Sequence, residues 1–243
     1  LHWESFIGPA PMRPYHGAYH PFKWRGWWDF GTGALGDMAC HTANLAYMGV
    51  LNNQQPTWVE PITVGPINSE TYPGWAIIKM KFPAIKERGP IDFHWYEGKE
   101  EGKKKLPAPD YFHGIRPSNS GSLVVGTKGT LYSPNDYGSS WKLLPPRGGK
   151  NTPEYQKVKP SLPRNNGGDT GMKREWAQAI KENKPELALS NFDYAGNLTE
   201  AILMGNIAMK VGEGFDWNPE KLSSSNKKVA ALITKEYRKG WEI

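Results

Sequence analysis

Two periods of apolar spacing divide the chain. Alternation of period two, the mark of a strand with one buried face, runs through Trp58 to Val64, Trp75 to Phe82, Ile91 to Glu97, Ser122 to Ser133 and Trp141 to Leu144. Inside the fourth run, Gly126-Thr127-Lys128-Gly129 separates two β-prone segments and predicts a hairpin. Proline and glycine turns part these runs, so residues 56–146 are expected to form sheet, mostly antiparallel. Helical spacing appears on either side. At 37–49, Met38, Thr42, Leu45 and Gly49 make one stripe that can face a core, and Asp37, His41, Asn44 and Met48 make another. After a Pro/Gly/Asn-rich connection over 146–171, three helices are predicted within 172–240. The first spans about 172–183, with Met172, Trp176, Ala179 and Ile180 on one face. The second begins at an Asn197-x-x-Glu200 capping box and repeats Leu198, Ile202, Gly205 and Met209 up to Gly212. The third runs from Asn226 as N-cap to Gly240, with Val229, Leu232, Ile233 and Tyr237 inward. Strands grouped first and helices later indicate an α+β fold and not the βαβ alternation of a doubly wound sheet.

Composition narrows the classes. A length of 243 residues allows one large domain or two small ones, and a single cysteine, Cys40, excludes an internal disulfide framework. The net charge of +6 is scattered along the chain. Its densest cluster, Lys99 to Lys105, is interrupted by two glutamates and a glycine and reads as a solvated loop, so no nucleic-acid partner is expected. No apolar run approaches a membrane span and residues 1–30 lack a signal-peptide core. A soluble protein without a membrane partner is expected, with the choice between cytoplasm and export open. The 21 prolines imply many fixed turns, and the 11 Trp, 11 Tyr and 8 Phe serve either cores or ring-stacking surfaces. Residues 1–36 concentrate both features, with four prolines, six glycines and nine aromatics, and read as an ordered aromatic loop.

Asp37 and His41 lie one helical turn apart, so the carboxylate can orient the imidazole. A histidine held by an acid is what proton transfer from a carbinol requires. Gly31-Thr32-Gly33-Ala34-Leu35-Gly36 has the spacing of a dinucleotide loop, but Trp24 to Phe30 before it is no buried parallel strand. A close-packed turn delivering the next helix is the expected role. His16 and His20 share the same spacing, yet Gly17 and Pro21 oppose a helix there, and no metal site is expected. Cys40 falls on a different helix face from His41 and is poorly placed as its nucleophile. Trp24, Trp27 and Trp28 suit either a core or a platform for a sugar ring, with Arg25 among them as a hydroxyl or carboxylate ligand.

Three stretches carry a resemblance: Pro21 to His41 (PFKWRGWWDFGTGALGDMACH), Asn191 to Asn206 (NFDYAGNLTEAILMGN) and Glu236 to Ile243 (EYRKGWEI). The chain resembles the C-terminal domain of the glucose-fructose oxidoreductase / inositol dehydrogenase (Gfo/Idh/MocA) family, particularly its large bacterial subgroup, over essentially its whole length. The resemblance implies a single α+β domain over 1–243, with an open, mostly antiparallel sheet and helices on one face. By the same resemblance, the sheet is expected to shape the substrate pocket and to form a homo-oligomer contact. It implies NAD or NADP, bound by an N-terminal Rossmann domain that this chain lacks, along with that domain's E-K-P lysine. The family's D-x-x-x-H motif falls on Asp37 and His41, with His41 the acid/base. Many relatives place an Asp three residues after the histidine, where this chain has Asn44. Trp24, Arg25, Trp28, Tyr15 and Tyr19 are the expected substrate-pocket residues.

The expected function is therefore the substrate-binding and catalytic domain of an NAD(P)-dependent oxidoreductase acting on a carbinol of a sugar or polyol, with the chain inactive by itself. Two alternatives stay open: an NAD-assisted glycosidase or lyase using the same site, and a non-catalytic carbohydrate-binding or oligomerisation module.

Overall fold

The computed structural model describes residues 1–86 and 88–242; Ile243, the end of one stretch that carries the resemblance, lies outside them. The fold is α+β. Strands β1 (Trp58–Val64), β2 (Trp75–Phe82), β3 (Ile91–Glu100), β4 (Lys103–Lys104) and β8 (Phe215–Asp216) form an open sheet in the order β4-β3-β2-β1-β8, antiparallel throughout. Strands β5 (Ser122–Val125), β6 (Thr130–Ser133) and β7 (Lys142–Leu144) form a second antiparallel sheet. The strand pattern follows from side-chain chemistry. Along β2, Ala76, Ile78, Met80 and Phe82 are buried while Lys79 and Lys81 turn outward. Register pairs Ile78 with Trp95, Met80 with Phe93 and Phe82 with Ile91, which sets the apolar residues of β3 on the same face.

That face is covered by helices α2 (Gly33–Thr42) and α5 (Phe192–Val211), the latter lying over β1 and β2. Gly205 permits the approach, since a Cβ built there would stand 2.5 Å from Leu35 Cδ2. The remaining helices are α1 (Trp3–Ile7), α3 (Asn44–Ala46), which runs into a π-helical turn at Tyr47–Leu51, α4 (Gly168–Glu182) and α6 (Lys227–Ile233). Among the described residues, no helix is long and apolar enough to cross a membrane.

Several element boundaries differ from the sequence reading, each for a physical reason. The sheet expected over 56–146 is two sheets, because β5, β6 and β7 close over their own small core of Phe112, Tyr132 and Leu144. Its outermost strand, β8, comes from beyond that range and is too short to show a period. The helix expected at 37–49 begins at Gly33, and its helical course continues to Leu51, where Asn52 (φ 54°) turns left-handed. Its buried stripe is Leu35, Ala39, Ala43, Tyr47 and Leu51, and not the one through Met38 and Leu45, because α5 packs on that side with Gly205 against Leu35. The first 36 residues hold α1 as well as the aromatic loop. α5 starts at Phe192: the Asn191 side chain accepts from the Tyr194 N–H and caps it, leaving Asn197 inside the helix. α6 begins after its expected N-cap Asn226 but stops at Ile233. The chain beyond returns to the N-terminal segment, where the Arg238 guanidinium donates to the Gly8 carbonyl at 3.0 Å. In α4, Ala179 is buried while Met172, Trp176 and Ile180 stand exposed.

Candidate active site

The glycine turn before α2 is filled by protein. A Cβ on Gly31 would meet the Arg25 backbone at 2.4 Å, one on Gly36 would meet Thr32 Oγ1 at 2.2 Å, and Gly33 (φ +65°) faces the Tyr72 ring. Tyr72 donates to the Gly31 carbonyl at 3.1 Å and Asn206 Nδ2 to that of Thr32 at 2.9 Å. Those contacts leave no cradle for a pyrophosphate, so this turn does not fit a dinucleotide. Its work is to deliver α2. Below the helix start lies Glu97, buried on β3, which accepts from Trp95 Nε1 at 2.7 Å and from the Leu35 backbone N–H. Burial pushes the Glu97 carboxyl up against the opposing pull of those two hydrogen bonds. The Leu35 N–H is one of the first-turn donors that a helix cannot satisfy itself, so a carboxyl there anchors the helix.

From that anchored start, α2 carries Asp37 in its second turn and His41 one turn further on. Asp37 forms an ion pair with Arg25, and no hydrogen bond joins it to His41. A guanidinium is the stronger partner for a carboxylate than an imidazole, so the pair expected along the helix is replaced by one between helix and loop. The His41 imidazole is exposed and stands edge-on to the Tyr137 ring, with centroids 5.4 Å apart and planes at 85°. Asn44 accepts from the Tyr194 hydroxyl, a group that burial pushes up to about 12.

The aromatic residues separate into two sets. Arg25 lines an open cavity of about 380 Å³ together with Phe22, Lys23, Trp27, Ala18 and Thr71. Its guanidinium lies over the Phe22 ring at 4.4 Å. Trp24 is adjacent in the chain and 40% exposed. Tyr19 belongs instead to a packed cluster, stacked on Trp3 at 5.5 Å and edge-on to Trp27 at 4.6 Å, and Tyr15 sits edge-on to the same Trp3. Trp28 turns inward, its ring against Tyr72 and its Nε1 donating to the Asn68 carbonyl at 3.1 Å. Arg25 and Asp37 are thus brought together, His41 stands on the same helix as Asp37 but outside the cavity lining, Tyr19 backs the lining residue Trp27, and Trp28 packs away on Tyr72.

Cys40 Sγ lies 3.8 Å from the Gly36 carbonyl, along the helix and away from the imidazole face. His16 Nδ1 accepts from the Ala18 N–H at 3.1 Å, and His20 packs edge-on to Phe6. Among the described residues, no group of three or more His, Cys, Asp or Glu side chains is gathered in a way that would hold a metal ion. Phe22, Lys23 and Thr71 escaped sequence reasoning. The first two immediately precede Trp24 in the run Phe22-Lys23-Trp24 and gave a weak compositional signal, whereas Thr71 reaches the cavity through its bridge to Trp27. Tyr137 gave no signal at all.

Residues 1–84 match the oxidoreductase family, C-terminal alpha/beta domain (GFO_IDH_MocA_C2). The matched segment runs from α1 to the end of β2 and includes Arg25, Asp37 and His41. No curated protein matches the chain.

Proposed function

We propose, taking residues 1–84 as an oxidoreductase-family C-terminal α/β domain, that the chain is the substrate-binding and proton-transfer domain of an NAD- or NADP-dependent oxidoreductase acting on a carbinol of a sugar or polyol. The observation that carries this reading is the exposed His41 imidazole one helical turn from Asp37, whose carboxylate is tied by Arg25 to an aromatic-walled cavity. His41 accepts the hydroxyl proton of the carbinol. Asp37 fixes Arg25, and with it the cavity wall, against α2, and holds a negative charge near the imidazolium that forms. Arg25 and Trp24 bind substrate hydroxyls and the ring face, while Trp28, Tyr15 and Tyr19 keep that wall rigid.

The nicotinamide cofactor supplies hydride chemistry. Since the glycine turn is filled, its binding is assigned to an N-terminal dinucleotide-binding domain of the parent enzyme. A second copy of the chain is assigned to the outer face of the five-stranded sheet. The test of the catalytic assignment is His41→Ala in the full-length enzyme, assayed for NAD(P) reduction with a polyol panel. Turnover is expected to fall by about 10²–10⁴-fold, the usual worth of a general base; undiminished turnover excludes His41 from that role.

A further inference from the structure

We propose that Tyr137 is a substrate-contact residue of the His41 site, delivered by the three-stranded sheet; this rests on the reading of His41 as proton acceptor. The loop after β6 reaches α2 through a polar cluster: the hydroxyl of Thr42, buried and next to His41 in the chain, donates to Asp136 Oδ1 at 3.3 Å, and the Ser120 hydroxyl donates to the same oxygen. Asn135 Oδ1 accepts from the backbone N–H groups of Tyr137 and Ser139, each at 3.1 Å, which closes the loop into a fixed turn. Gly138, at φ +66°, packs against Leu45, and a Cβ there would approach Leu45 Cδ1 to 2.4 Å.

The neighbours of Tyr137 in this loop are therefore each held, yet Tyr137 itself is 74% exposed. An aromatic ring so exposed contributes little burial to the fold. Its only aromatic neighbour among the described residues is His41, 5.4 Å away. Fixing an exposed ring beside an exposed imidazole removes the ordering cost of using that ring against a ligand. The ring face suits the C–H face of a pyranose or cyclitol, and the phenol can both donate to and accept from ring hydroxyls.

The experiment uses the full-length enzyme with its nicotinamide cofactor and two probes, D-glucose and myo-inositol, whose binding is followed by saturation-transfer NMR and calorimetry. Tyr137→Ala is expected to weaken the bound probe by about tenfold, and Tyr137→Phe to keep most of the affinity. In both variants the thermal midpoint should stay at the wild-type value. The imidazole proton resonance of His41 should shift in Tyr137→Ala, where the ring current is lost. Unchanged affinity in Tyr137→Ala, beside a His41→Ala variant that loses turnover, overturns this inference alone. An unmoved His41 resonance overturns the contact on which it stands. Failure of both probes to bind, together with undiminished turnover in His41→Ala, overturns it along with the functional reading.

Discussion

Glu97 is a carboxyl group on the apolar face of a sheet, and its surroundings set the sign of a measurable effect. Because burial raises its pKa in the folded state, the fold prefers the protonated form. Its contribution to stability is fully present below the ordinary carboxylate range and is lost as pH rises through the raised value. Glu97→Gln keeps an acceptor for Trp95 and Leu35 and abolishes the charge. Its stability relative to wild type, from urea unfolding at a series of pH values, should therefore climb as pH rises from the ordinary carboxylate range through the raised value. A difference that stays flat across that range would show that burial of the charge is not felt. Glu97 falls in step with Ile91, Phe93 and Trp95 in the alternating run that the sequence shows. That the start of a helix lies above it was not legible, since Leu35 is far away in the chain. The same limit applies to Asp37, whose helical neighbour His41 was visible in the sequence but whose actual partner, Arg25, comes from the preceding loop.

At the scale of elements, local rules worked where the decisive interaction is local. β2 spans Trp75–Phe82 as its alternation indicates, and Asn226 caps α6 with its side chain accepting from the Lys228 N–H. They misplaced elements where two local signals compete. Asn191 and Asn197 both resemble N-caps, and the helix takes the earlier one because nothing between them halts it and Tyr194 finds Asn44 across the fold. Asn191→Ala should accordingly cost about 1 kcal/mol in urea unfolding, whereas Asn197→Ala should stay within about 0.5 kcal/mol of wild type. Equal losses at the two positions would contradict the cap assignment. The stripe of α2 was misread for a related reason: the Met38 stripe and the Leu35 stripe both carry apolar residues, and only the helix packed against α2 selects between them.

On the scale of the whole molecule, the five-stranded sheet has helices on one face and, on the other, Trp58, Ile77 and Tyr96 among Glu60, Lys79, Lys81, Asp92 and His94, with Lys79 paired to Asp92 and Ile62 at a bulge beside them. Ile62 is 52% exposed on this face, where the proposed second copy of the chain would cover it. On the proposed self-association, sedimentation of the protein should give a multiple of the single-chain mass, and Ile62→Asp should reduce it to that of one chain. An unchanged mass in the variant would move the contact elsewhere.

The sequence by itself determined the α+β class, the longer strands, most helix positions and the one-turn spacing of Asp37 and His41, because each is written in the spacing of neighbours along one element. Only the tertiary structure decided which face of α2 is buried, that Arg25 takes Asp37, that the glycine turn is packed shut, and that Tyr137 stands beside His41. Those outcomes depend on contacts between residues remote in sequence, whose pairing is set by which surfaces fit at close range and leaves no period along the chain.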